Sequence, residues 1–245
     1  MPYVLSPLIR PDAPGLWAEG APYTVEPVYD LCNPAHPPVR YGAHRLAPHS
    51  LPHVDAPSHI LEDGADVGAY FAPDRLANLY GRVLLLKLAA PIWRDAPGGT
   101  RHCAVDAAML RAEIVRATGR DQAPDKLILT VAALPEAANG QHDPAHALTL
   151  TEDAADWLLA NPDFNAYLTS WKSTDFQPGS RARPIHRRLL PRAAVFECLD
   201  LRAVPEGEYF LTAFPLPLAG ASESPVCPVL FTFAELAAAQ PSPRA

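Results

Sequence analysis

The chain has no uninterrupted run of about 18 apolar residues, so no membrane-spanning helix and no membrane partner are expected. Its opening, MPYVLSPLIRPDAPG, lacks a basic segment followed by an apolar stretch, so no secretory signal is expected. Cysteine is sparse. Cys32, Cys103, Cys198 and Cys227 form no C-x-x-C pair, which argues against a disulfide framework or a cysteine zinc knuckle. Buried free thiols in a reducing cytoplasm are the expectation. Positive charge is also short, with 20 Lys and Arg against 27 Asp and Glu and a formal net charge of −7. A nucleic-acid partner would need a basic face, so none is expected. The phosphate-cradling patterns G-x-x-x-x-G-K and G-x-G-x-x-G are missing, as is the G-x-S-x-G nucleophile elbow. A common nucleotide enzyme or serine hydrolase is therefore unsupported.

What is present is enough for a folded core. Of 245 residues, 49% are hydrophobic and 19% charged, which disfavours general disorder. The 29 prolines imply short elements joined by rigid turns. GRVLLLKL (81–88) and KLILTVAAL (126–134) are nearly continuous in apolar residues and read as strands buried on both faces. AVDAAMLRAEIVRATG (104–119) has helical spacing and a Gly119 stop, and TLTEDAADWLLAN (149–161) opens with Thr149 or Thr151 as a cap. PDRLANLY (73–80) reads as one or two helical turns. AYLTSW, AAVFECL and EYFLTAFPL read as further strands, residues 1–48 as an arm of short strands, and AAAQPSPRA as a frayed end with 239–245 a flexible tail. There is no internal repeat and no linker. The expected fold is α/β with a mixed β-sheet in a single domain spanning 1–245.

The chemistry is concentrated in HSLPHVDAPSH (49–59), three histidines and an aspartate in eleven positions. Pro52 and Pro57 exclude a continuous helix. In an extended chain, His49, His53, Asp55 and His59 would share one face. His53 and Asp55 are about 7 Å apart along a strand, close enough to converge on one ion. His49 requires a bend, for which Pro52 is the expected place. Taken singly, each histidine could equally cap a turn.

A second cluster lies in PIHRRLLPRAAVFECLDL, where His186 precedes Glu197. A carboxylate inside the apolar strand AAVFECL is costly unless it is paired or bound to a cation, or faces solvent on an edge strand. Together His49, His53, Asp55, His186 and Glu197 make a set large enough for two ions if Asp55 bridges them. His142 and His146 are weaker ligand candidates. His36, His44 and His102 read as structural or solvent-facing, and Asp175 as either support for the site or polar loop. Trp17, Tyr23, Phe71 and Trp171 read as core aromatics that could otherwise stack on a planar substrate.

These residues resemble the metal-dependent cyclase family, which includes bacterial kynurenine formamidase and isatin hydrolase. Its signature H-x-G-T-H-x-D-x-P-x-H is met at His49, His53, Asp55, Pro57 and His59. VLSPLI, PGLWAEGAP, LYGRVLLLKL, PIHRRLL, VFECLDL and FPLPLAGASESPVCPV resemble other family blocks, so the likeness spans most of the chain. Two departures stand out: Leu51-Pro52 replaces Gly-Thr, and TSW (169–171) replaces a Gly-Ile-Asp segment. The first removes a hydroxyl and an N–H and pushes Leu51 towards extended geometry.

The resemblance implies a swivelling β/β/α-like cyclase fold, assembled as a homo-oligomer (dimer or larger). It implies one divalent ion, zinc or manganese, held by His49, His53 and Asp55, and a second held by Asp55, His186 and Glu197. His59 would sit beside the reacting centre. The expected activity is hydrolysis of an amide, cyclic amide or lactone bond in a small-molecule substrate, through an ion-activated hydroxide, with His59 or Glu197 relaying the proton. The alternatives are a biosynthetic cyclase or dehydratase using the same ions as Lewis acids, and a non-catalytic ligand-binding homologue.

Overall fold

Two of the apolar runs, GRVLLLKL and KLILTV, pair in parallel at the middle of a nine-stranded sheet. The computed structural model describes residues 1–17, 20–32, 34–133, 145–176 and 181–239. Strand β1 (Tyr3–Val4) is followed by β2 (Tyr23–Tyr29), β3 (Tyr41–Leu46), β4 (His53–Asp55), β5 (Tyr80–Leu88), β6 (Arg94–Ala96) and β7 (Thr100–Val105). Then come α1 (Ala107–Thr118), β8 (Lys126–Val131), β9 (His146–Leu150), α2 (Glu152–Leu159), β10 (Ala166–Thr169), α3 (Pro184–Leu189) and β11 (Ala194–Glu197). The remaining elements are β12 (Gly207–Thr212), β13 (Glu223–Pro225), β14 (Val229–Phe231) and α4 (Phe233–Ala238).

The large sheet runs β1-β14-β12-β5-β8-β10-β11-β4-β13. Its centre, β5-β8-β10-β11, is parallel, and antiparallel strands flank it on both sides. Alternation along the central strands serves two cores. Leu84, Leu86, Leu127, Leu129 and Tyr167 pack with Leu110, Ile114 and Leu158 of α1 and α2. Val83, Leu85, Ile128, Leu168 and Phe196 pack the other way, with Leu5, Val54, Tyr70 and Leu211. Both faces are covered, which explains why these strands read as continuous apolar runs. Each such Leu or Ile contributes about 1.5–3 kcal/mol by leaving water. The mixed α/β architecture expected from the sequence is the one observed.

Boundaries differ where tertiary pairing outweighs local pattern. Ala104 and Val105 complete β7, so α1 starts after Asp106, whose carboxylate accepts from the Met109 N–H at 2.8 Å. Gly119 ends α1 at φ 70° as expected. Thr149 belongs to β9, leaving Thr151 as the α2 cap. β8 ends at Val131, and Leu134 lies outside the described residues. The 73–80 segment makes a 3-10 turn at Leu76–Leu79. Helices α3 and α4 were not anticipated. α4 reaches Ala238 behind a capping box of Thr232 and Glu235, so Ala237 and Ala238 are not a frayed end; residues 240–245 lie outside the described residues. The expectation of buried thiols holds for Cys103 and Cys198 but not for Cys32 and Cys227, which are exposed.

Candidate metal centre

Strand register builds the site. β4 lies between β11 and β13, with Glu197 opposite His53 and Glu223 opposite Asp55. Val54 points the other way, into the core, so His53 and Asp55 share the opposite face. The edge-strand reading of Glu197 is thereby corrected: β11 is paired on both sides and Glu197 is buried. α3 leads into β11 and carries His186 to the same point.

The one-faced extended chain expected over 49–59 is confined to β4. His49 and His59 arrive on separate 3-10 turns, Pro48–Ser50 and Pro57–His59, each with proline at its start. The bend lies in the turn begun by Pro48 rather than at Pro52, while Leu51 is extended at φ −125°, ψ 164°. Gly64 packs beneath the second turn. A methyl there would collide with the Pro57 carbonyl carbon, so the close approach that seats His59 needs glycine.

The five ligand candidates converge. His53 Nε2 lies 3.5 Å from Asp55 Oδ1 and 3.6 Å from Glu197 Oε2. His186 Nε2 lies 3.4 Å from Asp55 Oδ2 and 3.2 Å from Glu197 Oε1. His49 Nδ1 is 3.2 Å from His53 Nε2 and 4.0 Å from Asp55 Oδ1. Among the described residues, His49, Asp55 and His59, and likewise His53, Asp55 and Glu197, bring ligand atoms within 4.8 Å of one another. The distances also bring together His49, His53 and Asp55, the first set implied by the resemblance, and set His186 against Asp55 and Glu197, the second, with His59 as a further candidate beside His49.

The outer ring nitrogens are fixed. The Leu51 carbonyl can only accept, so His53 Nδ1–H donates to it at 2.8 Å. Asp175, buried, takes the His186 Nδ1–H at 2.6 Å and the backbone N–H groups of Ile185 and His186 at 3.0 and 3.2 Å. Asp175 is thus a supporting residue of the site. Both Nε2 atoms therefore face carboxylate oxygens.

The electrostatics of this core call for positive charge. Burial alone would lower the His186 pKa, but Asp175, Asp55 and Glu197 raise it well above the ordinary value. Burial likewise opposes ionisation of Asp55 and Glu197, yet the surrounding histidines hold both below the usual carboxylate range. His49 is pushed down, chiefly by burial and then by His53. Asp55 Oδ1, Asp55 Oδ2 and His186 Nε2 are buried without a hydrogen-bond partner. Orphaned buried polar atoms around one point are what a divalent cation satisfies, the imidazole giving up its Nε2 proton to the ion. The donor set, imidazole nitrogen and carboxylate oxygen, fits such an ion.

Above this core lies a cavity of about 530 Å³, lined in part by Trp17, His49, His59, His186, Glu197 and Glu223. Trp17 is thus a wall residue, and its indole N–H holds the His49 carbonyl at 2.9 Å. Tyr23 lies on the β2–β3 hairpin, Phe71 packs against the core, and Trp171 is buried. Glu223, Lys172, Ser173 and Arg183 also line the cavity and were not singled out from the sequence. An acidic residue at alternating spacing in ASESPV was the one available sign for Glu223. The remaining histidines lie elsewhere: His36 stacks on Tyr29, His44 bonds Tyr23, His102 bonds Thr149, and His146 packs on Trp93. His142 lies outside the described residues.

No protein-family model matches the chain. Solved structures do share its fold. Isatin hydrolase A from Ralstonia solanacearum superposes with a TM-score of 0.71 at 20% identity, over 95% of this chain and 92% of that one. A predicted metal-dependent hydrolase from Bacillus stearothermophilus gives 0.65 at 21% identity, over 94% and 97%. A structure described as a novel cyclase gives 0.67 at 16% identity, over 95% and 88%. The chain thus has the α/β fold of these proteins along nearly its whole length.

Proposed function

We propose that the chain is a metal-dependent hydrolase that opens an amide, cyclic amide or lactone bond in a small molecule. The observation that carries this reading is the buried trio of polar atoms without a hydrogen-bond partner, on Asp55 and His186, at the floor of a cavity. His49, His53, Asp55, His186 and Glu197 would hold one or two divalent cations, zinc or manganese. A divalent cation bound there supplies Lewis acidity and lowers the pKa of water from 15.7 to about 7.

This chain's residues do the rest. Asp175 and the Leu51 carbonyl keep the Nδ1 protons of His186 and His53, so each Nε2 lone pair faces inward. The cavity walls position the scissile carbonyl and limit water. His59 lines the cavity, half-buried, and although it also stands within ligand distance of His49 and Asp55, in this reading it stays off the ions and carries a proton to the leaving nitrogen or oxygen. Glu197 is more enclosed and is the second candidate for that transfer. The cyclase and binding-protein readings have no observation in their favour over this one.

Two coarser features complete the proposal. No helix among the described residues is long and apolar enough to cross a membrane; the buried thiols of Cys103 and Cys198 fit a reducing cytoplasm, where we place the protein. The β2–β3 hairpin is largely exposed and carries Val25, Val28 and Tyr41 on its surface. A lone hairpin is marginal in water, which favours a homo-oligomer that covers it.

The test measures metal by mass spectrometry after growth with zinc and manganese, then turnover of simple formamides, lactams and lactones. The expected result is about one or two bound ions and turnover that chelation abolishes. The His59→Gln variant should keep its ions and lose about 10²–10⁴-fold in kcat. A protein that binds neither metal would overturn the reading.

A further inference from the structure

We infer that Glu223 is a positioning residue for His49: it takes the proton on the outer ring nitrogen and leaves the inner nitrogen free for a divalent cation. This rests on the metal-dependent reading and names the support for the third ligand histidine.

The first observation is that the three histidines are held differently. His53 and His186 have Nδ1 tied outwards, to the Leu51 carbonyl at 2.8 Å and to Asp175 at 2.6 Å, and turn Nε2 to the carboxylates. His49 is reversed. Its Nδ1 lies 3.2 Å from His53 Nε2 and 4.0 Å from Asp55 Oδ1, so Nδ1 faces the cluster. Its Nε2 faces Glu223 Oε1 at 3.8 Å, one side-chain adjustment from a hydrogen bond. The His49 side chain is 37% exposed, against 0% for His53 and 1% for His186, so packing holds its ring least. A metal-binding histidine takes its tautomer and orientation from the group that holds its other nitrogen.

The second observation is a proton that has to move. With His53 neutral and its proton on Nδ1, His53 Nε2 can only accept, so the 3.2 Å contact needs a proton on His49 Nδ1. Neither nitrogen of that contact can keep this proton when both face a cation. A neutral His49 must then carry its proton on Nε2, the nitrogen that faces Glu223.

The third is an unfavourable pair. Register sets Glu223 opposite the buried Asp55, and like charges directly opposite on antiparallel strands destabilise a sheet. Ser222 Oγ donates to Glu223 Oε2, which leaves Oε1 for His49. Fold stability gives no reason for a second carboxylate here, whereas support of a cation-binding histidine does.

The test titrates zinc into the full chain against a competing chelator, with urea unfolding to check that each ion-free variant is folded. Glu223→Ala should weaken zinc affinity about 10–100-fold. Glu223→Gln, whose side-chain carbonyl still accepts from Nε2–H, should recover part of the loss. A carboxylate could also attract zinc by charge alone, so the change is repeated in a His49→Ala background, where Glu223→Ala should cost less than about twofold. Nitrogen-15 NMR of the zinc-loaded, histidine-labelled protein should show His49 bound through Nδ1 with its proton on Nε2. That proton should exchange with water about tenfold faster in Glu223→Ala. If His49→Ala takes up too little zinc to titrate, this exchange decides. No readout needs turnover, so zinc bound as expected without hydrolysis would sink the hydrolase reading alone. Equal affinity in wild type and Glu223→Ala, the same loss with and without His49, unchanged proton exchange, or His49 bound through Nε2 would overturn the positioning role. Wild type that takes up no zinc would overturn both.

Discussion

Polar side chains gather at both ends of the parallel strands, and the two gatherings obey opposite rules. At the amino ends, donors meet acceptors. Arg192 donates to the carbonyls of Phe164, Leu159 and Asn161 at 3.2, 2.6 and 2.6 Å, and Asn78 donates to the Arg192 carbonyl at 3.0 Å. Lys126, the first residue of β8, donates to the Asn165 side-chain carbonyl. At the carboxyl ends, beside Glu197, carboxylates and imidazoles crowd one point, and both Asp55 oxygens are left without a hydrogen bond. The first arrangement closes on itself and holds loops to strands. The second is incomplete as protein alone and needs a cation to close it. Open α/β sheets take ligands at the carboxyl ends of their strands, and the incomplete cluster lies there.

The largest effect that could break this contrast is at Asp55, which touches His49, His53 and His186. The Asp55→Ala variant should lose turnover by about a thousandfold or more, since several kcal/mol of charge stabilisation are removed. Its metal content, by mass spectrometry, should fall with it. Its metal-free form should stay folded but melt somewhat lower than metal-free wild type, because the buried histidines lose the anion that favours their charge. Unfolding of this variant instead would make the cluster structural, like that at the amino ends. Asp175→Asn probes the layer behind. Asn can still accept from His186 Nδ1–H but carries no charge, so ion affinity should weaken about 10–100-fold in a competitive chelator titration. An unchanged affinity would mean that Asp175 serves only to start α3.

How far the sequence reaches differs between the two ends. The carboxyl-end cluster was visible because metal-binding side chains are chemically unusual: His49, His53 and Asp55 crowd one stretch, and Glu197 interrupts an apolar strand. What pairs with what was not visible. Register alone sets Glu197 opposite His53 and Glu223 opposite Asp55, and register is a long-range property of three strands. The central strands were legible from their continuous apolar runs, whereas α3 was hidden because its six residues hold too little periodicity to recognise. At the amino ends, Lys126 begins a buried strand and Arg192 sits in an ordinary loop, so neither looked different from a solvated cation.

Lys126 offers the finest test of the contrast. Burial lowers its ammonium pKa from 10.5 to about 8, with Asp125 opposing. Between those values the unfolded chain holds a proton that the folded chain has released, so stability should rise with pH across that window and be flat below it. Screening by solvent in the surface groove that Lys126 lines with Asp125 and Asn165 reduces the effect to about 1–2 kcal/mol. The Lys126→Met variant lacks the titrating group and should lose this slope. Relative to wild type it should therefore be more stable by urea unfolding at about pH 7.5 than at about pH 9.5. Its kcat/KM should stay within about twofold of wild type, because the residue lies at the far ends of the strands from Glu197. A stability difference that does not change with pH would mean that Lys126 is as well solvated folded as unfolded. The amino-end network would then be an ordinary wet surface rather than a closed one.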